Sequence, residues 1–147
     1  MRGLSYFLGL ACGFGLTVQV AMNSQLRKFL QNANSAALVS FLVGSLALLA
    51  LVVGTRAPLP ARDTLAAVPV WAWFGGLLGA FYVASSTVIA AELGATTLLA
   101  LALAGQLATA LVIDHYGWLG MPVNPISLTR ITGVLLLGAG VWLIARP

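Results

Sequence analysis

Gln19 and Asn23 stand four residues apart in an otherwise apolar run, so both amides fall on one face of a helix. Gln106 lies near the middle of an uncharged run from Thr96 to Ile113. At about 1.5 Å per residue that run is roughly 27 Å long, close to the thickness of a bilayer's hydrocarbon core. Tyr82, Ser85, Ser86 and Thr87 add hydroxyls to a third apolar run, and Ser40 adds one to another. Amides and hydroxyls both donate and accept hydrogen bonds, which suits them to line a solute pathway. We expect Gln19, Asn23 and Gln106 to contact a solute, with Tyr82 and Ser85 next. The competing role for the amides is to bond helices to one another. For the hydroxyls it is to bond back to their own helix.

Ionisable side chains are few. Glu92 closes the third run, where it either sits wet in a turn or, held out of water, couples transport to a proton. Asp114 ends the fourth run, where a negative charge opposes the helix dipole, so it is expected to pair with Arg130 or Arg62 or to fix the following loop. His115 stands beside it, but a lone Asp-His pair specifies neither a metal site nor a proton relay. The chain holds one histidine, one cysteine and three acids, too few for a catalytic triad, a zinc site or a carboxylate pair. No phosphate-cradling glycine loop is present. We expect no enzymatic activity, no catalytic residues, no cofactor and no metal.

Elements that carry these residues must be membrane helices. Of 147 residues, 61% are hydrophobic and 7% charged, with a mean hydropathy of +1.03, whereas soluble domains carry about 25% charged residues. Five apolar runs are separable, at about residues 4–22, 36–53, 70–91, 96–113 and 128–144, in a single transmembrane domain spanning 1–147 with no internal repeat. The first run is expected to be retained as a helix rather than cleaved as a signal peptide. The net charge of +4 comes from basic residues scattered at run ends, which points to lipid anchoring and topology and away from nucleic acid.

Small residues four apart let membrane helices approach closely. Gly9 and Gly13, Gly75 and Gly79, and the alanines and Gly105 of the fourth run supply such pairs, with Gly133, Gly138 and Gly140 in the fifth. Gly75, Gly76 and Gly79 are expected packing or hinge positions. With five spans, Arg2, Arg56, Arg62 and Arg130 fall on one side of the membrane and Arg27, Lys28 and Arg146 on the other. That near balance gives almost no orienting instruction. Either the chain takes one weakly biased orientation, or it inserts both ways and pairs with an inverted copy of itself.

Several stretches together resemble the YdcZ-like family, a small bacterial branch of the drug/metabolite transporter superfamily. They are Gln19-x-x-x-Asn23, Ser40-Phe41-x-x-Gly44 and Trp73-x-Gly75-Gly76-x-x-Gly79-Ala80, then the series Leu93-Gly94-Ala95-Thr96, Ala104-Gly105-Gln106 and Asp114-His115-x-Gly117-x-x-Gly120. The resemblance implies an all-α integral membrane fold of five transmembrane helices, half of a ten-helix inverted-repeat transporter. It also implies the inner membrane and an antiparallel pair, either a dual-topology homodimer or a partnership with an inverted paralogue. Small multidrug transporters, a more distant branch, carry a glutamate in the first helix. Gln19 and Asn23 in its place favour a polar or neutral small solute, or a mechanism whose acid is Glu92. The function expected is export of a small solute by alternating access. The alternatives are a non-transporting assembly or regulatory subunit, and a flippase for a lipid-linked substrate.

Overall fold

The computed structural model describes residues 2–146, the side chain of Arg2 excepted. Among the described residues every regular element is helical: α1 (Arg2–Leu30), α2 (Ala33–Gly54), α3 (Arg62–Ala66), α4 (Phe74–Leu93), α5 (Ala95–Tyr116) and α6 (Leu128–Ile144). Tight 3₁₀ turns at Val70–Trp73 and Trp118–Gly120 complete the set. Five stretches are long and apolar enough to cross a membrane: Gly3–Leu30, Ala33–Gly54, Val70–Leu93, Ala95–Tyr116 and Leu128–Ala145. The chain is therefore all-α with the five expected spans.

Two element boundaries differ from the sequence reading. The first helix passes through Asn23, Ser24 and Gln25, where the apolar run stops, and ends at Leu30. Nothing between 23 and 30 is glycine or proline, so no residue there breaks the backbone ladder. At 29 residues α1 is roughly 43 Å long, more than the hydrocarbon core, and its last turn holds Arg27 and Lys28. The stretch between the second and third apolar runs also holds a helix, the short α3, with Asp63 in its first turn.

Contacts divide the chain into two units, Met1–Ala91 and Glu92–Pro147. In the first, α1 and α2 pack together across a two-residue turn. Gln31 takes a left-handed φ of 52°, and Asn32 then caps α2, its Oδ1 accepting from the Ser35 N–H at 2.9 Å. Val20 on α1 and Ala36 and Ala37 on α2 are buried. The far end of α2 closes with Arg56 at φ 52°, its N–H donating to the Val53 carbonyl and the Ala57 N–H to that of Val52. This is the closing pattern usually given to glycine. Between α2 and α4 the contact runs through Gly79, where an added Cβ would lie 3.5 Å from the Phe41 ring, in ordinary contact. Ser86 and Thr87 are buried in α4 with their hydroxyls bonded back to the carbonyls of Val83 and Ala84.

In the second unit α5 packs on α6, with Leu98 and Val141 buried. Gly94 enters α5 at φ 82°, and Gly117 closes it at φ 64° with its N–H donating to the Ile113 carbonyl. Ser127 caps α6 by accepting from the Arg130 N–H.

Much of the apolar surface is not covered by the chain itself. In each span, only 6% to 17% of the most apolar window is buried. The small-residue stripes that promise close packing at Gly9, Gly13, Gly105, Gly133, Gly138 and Gly140 make no such contact, since a Cβ at each would meet nothing within 4 Å. In water such exposure would be untenable; lipid is the solvent that suits it.

Candidate functional site

The seam between α1 and α2 gathers polar side chains that carry no charge. A groove of about 510 Å³ is lined on α1 by Gln19, Met22 and Asn23 and on α2 by Val39, Ser40 and Val43, among others. An adjoining groove of about 200 Å³ is lined by Gln19, Ser40, Phe41, Gly44, Ser45 and Leu48. Gln19 and Ser40 line both, so they stand where the two spaces meet. Helix spacing explains the alignment, since Gln19 and Asn23 are one turn apart on a single stripe. Gly44, which has no side chain to occupy the smaller groove, leaves it room.

Asn23 is distinctive. Only 6% of it is exposed, yet it makes no side-chain hydrogen bond among the described residues. Its amide is not among the polar atoms sealed from contact. Its polar end therefore keeps some accessible surface, and the residue lines the larger groove. Ser85 lies on the other side of α2, in a groove of about 470 Å³ shared with Asn34, Phe41 and Phe81. Tyr82 is half-buried in the same helix, its hydroxyl sealed and without a partner among the described residues. Of the small residues in α4, Gly79 is half-buried against Phe41, while Gly75 and Gly76 are exposed with open space around them.

The remaining candidates belong to the second unit, with Glu92 exposed at its start and Gln106 exposed at the centre of α5. Asp114 is engaged. Its carboxylate accepts from Arg130 Nη2 at 2.5 Å, and the other Arg130 nitrogen donates to the Asn124 carbonyl at 2.7 Å. Asn124 in turn donates its N–H to the Asp114 carbonyl at 2.8 Å. The Ile126 N–H donates to His115 Nδ1 at 3.1 Å, so the ring accepts there and its proton is on Nε2. The pairing of Asp114 with Arg130 answers the dipole problem for two helices at once. An acid at the end of α5 and a base at the start of α6 each oppose their own helix, and each neutralises the other. The loop between them is tied to the end of α5 at two points, through the Asn124 and Ile126 N–H groups, and to α6 through Arg130. Asn124, which anchors this knot through its backbone, carried no signal in the sequence because any residue supplies those groups. Ser45 was missed for a different reason, since its hydroxyl joins the seam only through the register of α2 on α1. Among the described residues, no cluster of histidine, cysteine and acids is placed to hold a metal ion.

Five apolar helices with an uncharged polar seam define a multi-pass membrane protein. The family described as "Putative inner membrane exporter, YdcZ" matches residues 4–143. The chain belongs to this YdcZ family of the drug/metabolite transporter superfamily and is a multi-pass protein of the bacterial inner membrane. It is 29% identical over 137 residues to the Inner membrane protein YdcZ of Escherichia coli strain K12, covering 93% of this chain and 91% of that one. No solved structure matches it.

Proposed function

We propose that the chain is one subunit of an exporter of a small solute. Two copies inserted in opposite orientations supply ten membrane helices, which alternate access about a site near mid-depth. The observation that carries this reading is Gln106. It sits at the centre of Ala95–Tyr116 and is exposed. An amide left facing lipid costs several kcal/mol, and the polar surface of a partner removes that cost. A two-fold axis in the membrane plane exchanges the two leaflets, so a residue at mid-depth shares its depth with its own copy. Nearly balanced basic residues on the two sides support insertion both ways. An inverted paralogue is the alternative partner.

In this reading each chain is a single transmembrane domain and not an enzyme, and it uses no cofactor. Gln19, Asn23 and Gln106 contact the solute, with Tyr82 and Ser85 beside them. Gly75, Gly76 and Gly79 serve packing or hinge motion. Of the two candidate coupling acids, Glu92 is favoured, because Asp114 is engaged by Arg130 whereas Glu92 has no ion-pair partner among the described residues. The test is cross-linking. In a Cys12→Ser background, Gln106→Cys should form a covalent dimer with a short thiol cross-linker, while a cysteine appended after residue 147 should not. Cross-linking at the C-terminus and none at 106 would contradict the antiparallel pair.

A further inference from the structure

The exporter reading leaves the solute undefined; the α1–α2 seam narrows it. Every named polar group on its walls is neutral: the amides of Gln19 and Asn23 and the hydroxyls of Ser40 and Ser45. The remaining lining is apolar or glycine, including Phe14, Val18, Met22 and Leu26, and no lysine, arginine, histidine, aspartate or glutamate borders either groove. An ion brought into this seam would leave water with no opposite charge to meet it, at a cost of several kcal/mol. A neutral amide or hydroxyl meets both donors and acceptors, since each amide offers an N–H pair and a carbonyl. Gln19 and Asn23 are about 6 Å apart along the helix axis, enough for one compact polar head to span. Asn23 is a second sign that a ligand belongs here, because it is nearly buried, lines the larger groove and makes no side-chain hydrogen bond among the described residues.

We infer that the α1–α2 seam is a binding site for an uncharged amphiphilic solute, one with an amide- or hydroxyl-bearing head and an apolar body, and that it selects against ionised analogues of the same shape. The head meets Asn23, Gln19 and Ser40, and the body lies along Phe14, Met22 and Val43. The space of about 510 Å³ falls in the range of small-molecule sites. This inference deepens the exporter reading and rests on it for the solute's role, but its test is binding alone.

Three probes of one shape isolate charge: 3-phenylpropionamide, 3-phenylpropionate and 3-phenylpropylammonium. Each is titrated against the full chain in phosphatidylcholine nanodiscs at neutral pH, with empty nanodiscs subtracted and binding read by saturation-transfer NMR. The amide should bind at least about tenfold more tightly than either ion. Asn23→Leu, which keeps the branched shape and removes the amide, should weaken that binding about tenfold. Asn23→Asp should make the ammonium the preferred probe. Ser40→Ala, a smaller change, should weaken amide binding even where Asn23 variants fold poorly. Equal or tighter binding of an ion to the unaltered chain overturns the inference. So does an order of preference that no variant alters, or no detectable binding of any probe. The Gln106→Cys cross-link does not depend on these probes, so loss of the solute assignment and loss of the exporter dimer are separately visible.

Discussion

Gln19, Asn23 and Gln106 illustrate what a polar side chain means when the solvent is lipid. In water an exposed amide is unremarkable, but at bilayer depth each must find a partner, a solute or another helix. Gln19→Leu and Gln106→Leu should therefore reduce efflux while leaving the fold intact, as judged by circular dichroism. If both variants transport fully and differ only in dimer stability, these amides are glue between helices. Gly117 makes a sharper prediction. Its φ is 64°, and a Cβ there would sit 2.7 Å from Val123 Cγ2 and 3.3 Å from the Met121 carbonyl oxygen. Gly117→Ala should cost about 1–2 kcal/mol from the backbone alone, and more from the clash, seen as a lowered unfolding midpoint. At this scale the sequence was legible where spacing on one helix decides the outcome, as for Gln19 and Asn23. It was not legible where a residue's environment is set by another helix. Asn23 lies just past the first apolar run in the sequence and is a buried amide about two turns inside α1, because α1 runs on to Leu30.

The elements are ended by local chemistry that can be removed one group at a time. Asn32→Ala deletes the side-chain oxygen that accepts from Ser35 and should cost about 1 kcal/mol, read in the same unfolding measurement. At the α5–α6 turn, Arg130→Met leaves Asp114 unpaired at the negative end of α5. Both side chains are about a quarter exposed, so screening reduces the loss to about 1–2 kcal/mol. A double-mutant cycle with Asp114→Asn should recover most of it, because the charge that needs the partner is then gone. The pairing with Arg130 was visible in the sequence as one of two options, since only dipole and side of the membrane were available to choose it. The tie from Ile126 to His115 was not, as backbone donors leave no mark in composition.

For the whole molecule the spans were the most legible feature, because hydropathy and length alone set them. Their packing was not. The small-residue stripes at Gly9, Gly13, Gly133 and Gly140 promised close approach, yet these faces lie open. A glycine stripe shows that a helix can be approached closely, but not which helix does so. Open stripes, an exposed Gln106 and spans mostly uncovered by their own chain are the surfaces that a second, inverted copy would bury. The most direct measurement of that claim is topology. A single cysteine appended after residue 147, with Cys12→Ser, is labelled in intact cells by a membrane-impermeant thiol reagent and then again after lysis. The antiparallel homodimer predicts partial labelling in intact cells and complete labelling after lysis, because both orientations coexist. Labelling that is all or none in intact cells would contradict it and place the chain in one orientation.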